Sequence, residues 1–206
     1  LALMINNERW IENQPQLEVI KMKGWTRNLW YDQTKLPWIK PSPNIPDLNT
    51  AIIYPGMCLL EATNLSEGRG TKKPFKKFGA PWINKQELTQ ELNNLNLPGV
   101  VFKPITFIPT PIKGMSNNPK YKNQVCHGAE IILTNRDKFL SVFTGMSIIK
   151  KINEKYPTQL KIKTSGMNRL WGNSEFSTQM QSNDLYQFYA PLKSYNKIAK
   201  KYFLYE

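Results

Sequence analysis

Histidine and cysteine are almost missing from this sequence. Its 206 residues contain one histidine, His127, and two cysteines, Cys58 and Cys126. That excludes a zinc site or proton relay built on several histidines of this chain. The cysteines stand apart with no CxxC spacing, so no zinc ribbon or redox dithiol is encoded. Cys58 lies in the apolar run MCLL and reads as a small buried residue. A bridge between the two remains open if the protein is exported. GxGxxG, Walker A and nucleophile-elbow motifs are absent, and neither a cofactor nor a metal is expected. No apolar run approaches the roughly 20 residues that span a bilayer, so no membrane span is expected.

Acidic residues are also scarce. Fifteen of them face 28 lysines and arginines, for a formal net charge of +13. Such an excess invites an anionic partner. The only arginines, however, are Arg9, Arg27, Arg69, Arg136 and Arg169, and the lysines are scattered apart from KKPFKK at 72–77. Scattered solvation is favoured over a nucleic-acid face, and nucleic acid is not an expected partner. The alternative is a non-catalytic basic module that holds anionic wall polymer or nucleic acid.

The chain is long enough for one sizeable core. It opens on an apolar, uncapped helix (LALMINNERWIE), expected when a sequence starts inside an element, so the chain reads as the C-terminal part of something longer. LEVIKM at 17–22 alternates like a strand. The stretch 24–41 is aromatic and proline-punctuated, hence irregular, with Trp25, Trp30, Tyr31 and Trp38 read as core plugs ahead of stacking platforms. Asp47 caps a helix from Leu48 that Pro55-Gly56 should kink or restart. FKKFGAPW at 75–82 reads as turns. Asn84 caps a helix with Leu88, Leu92 and Leu95 on one stripe, closed by Leu97-Pro98-Gly99. Residues 100–108 form a strand in which Pro104 requires an edge or a bulge, and 129–134 a buried strand. Thr134 or Asn135 caps a long helix with Phe139, Val142, Phe143, Met146, Ile149 and Ile152 inward. A short strand at 160–163 and a terminal helix at 184–200 complete the reading. Helices alternate with strands, so the fold class is mixed α/β, an α+β layer, taken as a single C-terminal domain over 1–206 with 1–14 as the remnant of a linking helix.

The densest local chemistry lies at 41–71 (PSPNIPDLNTAIIYPGMCLLEATNLSEGRGT). Gly68 and Gly70 flank Arg69 and permit close approach of a ligand to the backbone. Arg69 offers a planar fork suited to a carboxylate or phosphate, with Lys72 and Lys73 beside it. The same arginine could instead brace the loop by bonding carbonyls at the preceding helix end. Glu61 and Glu67 could form the acid/base pair of a glycosidase, whose spacing sets retention or inversion. Equally, Glu61 could be salt-bridged and Glu67 bonded to the turn. In CHG at 126–128, neighbouring side chains on extended backbone point apart, which argues against a Cys/His nucleophile and leaves His127 as a substrate-binding donor.

These residues carry a resemblance. LPWIKPSPNIP (36–46), AIIYPG (51–56), LLEATNLSEGRGT (59–71), FGAPW (78–82), LPGV (97–100) with Phe102, CHG (126–128) and YFLY (202–205) are similar to the NamZ-type exo-β-N-acetylmuramidases, over nearly the whole chain. The resemblance implies a bacterial, exported peptidoglycan hydrolase with a Rossmann-like N-terminal domain and a C-terminal α/β domain that share a cleft. It implies release of N-acetylmuramic acid from non-reducing ends. A catalytic glutamate in a GPEHG-like motif is expected in the first domain and is not in this sequence, so the isolated chain is expected to be inactive. Asn44, Asn64, Ser66, Arg69 and His127 are the expected substrate-binding residues, with Glu67 as a second carboxylate.

Overall fold

Three antiparallel strands form a sheet in the order β1–β3–β2: β1 (Lys77–Ala80), β2 (Val100–Phe107) and β3 (Cys126–Leu133). The computed structural model describes residues 1–182 and 190–205. The chain divides into two units, one of 38–185 and one of 1–37 with 186–206.

In the larger unit, Pro104 lies in register opposite Ala129 on β2, an edge strand whose outer side needs no amide donor. Gly79 of β1 faces Gly128 of β3. Residues 75–82 therefore do not form only turns: β3 supplies a ladder, and 77–80 become strand. Phe78, Ala80, Phe102, Ala129 and Ile131 alternate onto one buried face. Helix α3 (Lys85–Asn94) packs on β2 and β3, buries Leu88 and Leu92, and leaves Leu95 beyond its end 39% exposed. Its cap is the expected one, since Asn84 Oδ1 accepts the Gln86 and Glu87 amides.

Helix α2 (Leu48–Met57) starts at Asp47, whose Oδ1 accepts the Thr50 amide at 2.8 Å. It does not restart at Pro55; it runs through the proline to Met57 and on into a 3-10 turn, Cys58–Ala62. A partner braces the turn around the proline. Ser141 Oγ donates to Ile53 O and accepts from Gly56 N, each at 2.8 Å. Ser141 opens helix α4 (Ser141–Lys155), which buries Phe143, Met146, Ile149 and Ile152 of the expected stripe, while Phe139 falls before the helix and Val142 is half-buried. The expected cap at Asn135 forms a separate turn upstream, accepting the Asp137 and Lys138 amides. Residues 160–163 make only a bridge, Ile162 with Thr63. Two short helices follow, α5 (Thr164–Trp171) and α6 (Phe176–Gln181).

In the smaller unit, α1 spans only Ala2–Asn7 and lacks a side-chain cap. Residues 17–22 are not a strand: Ile20 is 90% exposed and no regular backbone pairing forms there. Alternation marks a strand only where a sheet edge receives it. Trp25 packs edge-on against Tyr205, and Arg27 stacks over Phe203. Of the terminal helix, 184–189, with Leu185, Phe188 and Tyr189, lie outside the described residues, and α7 covers Ala190–Ala199.

Candidate functional site at the Glu61–Thr71 loop

The loop that follows the 3-10 turn is pinned by its own backbone before any side chain acts. Ser66 and Gly79 exchange two backbone hydrogen bonds, at 2.8 and 3.0 Å, which attaches the loop to the free edge of β1. The Phe75 amide closes on Glu67 O at 2.7 Å. Gly68 and Gly70 both adopt φ +78°. A Cβ on Gly70 would sit 2.6 Å from Pro119 Cγ and 2.7 Å from Thr110 O. Glycine here serves a close approach between two protein segments.

Glu61, Glu67 and Arg69 come together on this frame. Arg69 Nη2 donates to Glu61 Oε1 at 3.0 Å, and Nε faces Glu67 Oε1 at 3.9 Å without a hydrogen bond. The Glu67 side chain is 4% exposed, against 32% for Arg69 and 28% for Glu61. The second cation is Lys120, not Lys72 or Lys73. Its Nζ is 3.1 Å from Glu67 Oε2. Lys73 pairs instead with Glu130, and Lys72 is exposed. Lys120 donates to Leu60 O (2.9 Å), Leu65 O (3.0 Å) and Glu61 O (3.3 Å), so its three protons go to carbonyls and Oε2 is paired by charge alone. The carbonyl-bracing role considered for Arg69 thus falls to Lys120. Phe75 lies beneath the guanidinium, 5.1 Å from ring centroid to Cζ, and Tyr54 packs edge-on against Phe75. Burial, then the charges of Glu61 and Cys58, raise the Tyr54 phenol above its ordinary value, while Arg69 pulls the other way.

The remaining expected residues are arranged around this centre. Asn44 Nδ2 donates to Met115 O at 2.9 Å, while its buried Oδ1 has no hydrogen-bond partner. Asn64 spends its amide on backbone, giving to Gln159 O and accepting from Lys161 N. Buried Ser66 accepts the Gly68 amide through Oγ. His127 lies one strand further in, on β3, its Nδ1 3.1 Å from Thr106 Oγ1. The same hydroxyl accepts from Lys85 Nζ at 2.6 Å. Cys58 and Cys126 are both free thiols, and burial pushes Cys126 up to about 11. Cys58 is half-buried, not fully enclosed as expected. Among the described residues no group of three His, Cys, Asp or Glu could hold a metal, and no helix is long and apolar enough to cross a membrane. Lys120 and Tyr54 were not singled out from the sequence. Lys120 lies in a distant Pro/Asn-rich loop, and nothing in its spacing signals contact with Glu67.

A small antiparallel sheet flanked by helices, with a carboxylate–guanidinium cluster on a tight loop, defines a mixed α/β protein with a polar site. The chain belongs to the exo-β-N-acetylmuramidase NamZ family: the model of the family's C-terminal part matches residues 52–205, and that of its N-terminal part residues 1–49. It is 39% identical over 211 residues to the peptidoglycan β-N-acetylmuramidase NamZ of Bacillus subtilis (strain 168), covering 100% of this chain and 49% of that protein. The chain thus spans about half the length of the curated relative it matches. A crystal structure of a DUF1343 family protein from Bacteroides fragilis superposes with TM-score 0.87 at 28% identity, over 100% of this chain and 55% of that one. A second from the same organism, at 24% identity and TM-score 0.69 over 100% and 54%, shares the fold.

Proposed function

We propose that this chain supplies the substrate-binding wall of a peptidoglycan glycosidase that releases N-acetylmuramic acid from the non-reducing ends of glycan fragments. On this reading it works as the C-terminal α/β domain of a longer, exported protein. A Rossmann-like N-terminal domain carries the main catalytic glutamate, and the isolated chain is inactive. One observation supports it above the rest: Arg69, a third exposed, keeps a buried Nε without a hydrogen-bond partner beside two carboxylates. A guanidinium so placed is matched to the lactyl carboxylate that distinguishes N-acetylmuramic acid from other amino sugars. Asn44 Oδ1 and the imidazole of His127 are offered as further polar contacts, whereas Asn64 and Ser66 shape the loop. Glu67 stands as the second carboxylate, able to stabilise positive charge developing at the anomeric carbon.

In the full-length enzyme, Arg69→Ala should raise KM for a muramyl substrate by about tenfold or more, the worth of a charge-assisted hydrogen bond. Its melting temperature should change little by comparison. An unchanged KM removes Arg69 from the site. The Glu61–Arg69 pair also favours a second reading, in which the cluster only braces the loop. That reading expects activity and melting temperature to fall together.

A further inference from the structure

Resting on the reading of Arg69 as the ligand's carboxylate partner, we propose that Lys120 is a positioning residue that sets the charge of this site and thereby its preference for an anionic sugar. The cluster holds two carboxylates, Glu61 and Glu67, and two cations, Arg69 and Lys120. With Lys120 in place these charges cancel, and Arg69 is not the lone counterion of two glutamates. Without it the cluster carries a net negative charge. Glu67, its side chain 4% exposed, would then draw on Arg69 Nε, only 3.9 Å away, and an incoming carboxylate would meet repulsion.

The local structure fixes Lys120 in this role. Pro119 packs against Gly70, and the Thr110 amide donates to Gly70 O at 2.8 Å, so the loop after β2 is locked onto the loop bearing Arg69. Three backbone carbonyls then orient the ammonium, leaving its charge, and not a directed proton, for Glu67 Oε2.

The test uses the full-length enzyme and two aryl β-glycosides, one of N-acetylmuramic acid and one with the lactyl group as its neutral methyl ester. Lys120→Met should raise KM for the acid by about tenfold while moving the ester by less than about twofold. Lys120→Arg, which keeps the charge, should restore most of the preference. Equal shifts on both substrates, or no shift on either, overturn the proposal. Should Lys120→Met not fold, Lys120→Gln carries the same comparison; failure of both to fold also overturns it, since Lys120 would then be a brace alone. Arg69→Ala separates the two ideas. If it abolishes the preference while Lys120→Met preserves it, Arg69 stands and Lys120 falls. If Arg69→Ala leaves the preference intact, the reading of the site itself is lost.

Discussion

Asp47 accepts the Thr50 amide through Oδ1 at 2.8 Å and the Lys76 ammonium through Oδ2 at 2.7 Å. Burial opposes its ionisation most strongly, yet Lys76 and the Thr50 amide outweigh it together and hold the carboxyl below its ordinary 3.8. A depressed folded value means that the ionised group stabilises the fold above the ordinary pKa and loses that contribution as pH falls through the folded one. Asp47→Ala should therefore cost about 1 kcal/mol at neutral pH, the usual worth of an N-cap. Its deficit against wild type should narrow below the ordinary value of 3.8. Urea unfolding near neutrality and in acid checks this, and an equal deficit at both would contradict it. This cap could be read from the sequence because acceptor and amide lie three residues apart. The same holds for Asn84. Lys120 could not be read, because its partners, residues 60–67, are joined to it only by tertiary folding.

Elements follow the same division between local and long-range causes. The amphipathic stripes of α3 and α4 were legible, since burying one face needs only the helical period. The strand at 77–80 was not, because a run that includes glycine and lies next to proline becomes strand only when β3 offers its edge. The converse error fell at 17–22, where alternation exists and no sheet edge takes it up. Pro55 shows how a distant side chain rewrites a local rule. It deprives Ala51 O of its helical donor, and the Ser141 hydroxyl braces the next turn by bonding both Ile53 O and Gly56 N. Ser141→Ala should leave one of these buried groups or both unsatisfied, at a cost of about 1–3 kcal/mol. Ser147→Ala removes only a hydroxyl bonded back to Phe143 O within α4 and should cost far less. The two urea midpoints, at unchanged m, decide the matter. Equal shifts would mean that Pro55 needs no such partner.

At the scale of the whole molecule, a net charge of +13 gave the strongest prompt toward a nucleic-acid partner; pairing with the protein's own acids leaves that excess unchanged but decides which cations stand clear of a counterion. Two of the four lysines in the densest basic run, 72–77, are paired with the protein's own acids: Lys73 with Glu130 and Lys76 with Asp47. Lys155 joins Glu87 and Glu91, and Lys120 joins Glu67. Hydrogen bonds to Glu91 and Glu87 raise Lys155 above its ordinary value, a sign of a cation tied within the fold. A protein that tracks duplex DNA must instead direct several free cations at successive phosphates, and its affinity then falls steeply with salt. Binding to a random-sequence duplex should accordingly be no tighter than ordinary non-specific association, with Kd above about 1 μM at physiological salt. Discrimination between muramyl and glucosaminyl sugars by the full-length protein should change little over the same salt range. Its buried carboxylate and half-buried guanidinium are screened far less than an exposed lysine face. A titration of both ligands across salt concentrations settles the choice. Tight, steeply salt-dependent DNA binding without sugar discrimination would make the lysines the functional surface and reduce the Arg69 cluster to a brace.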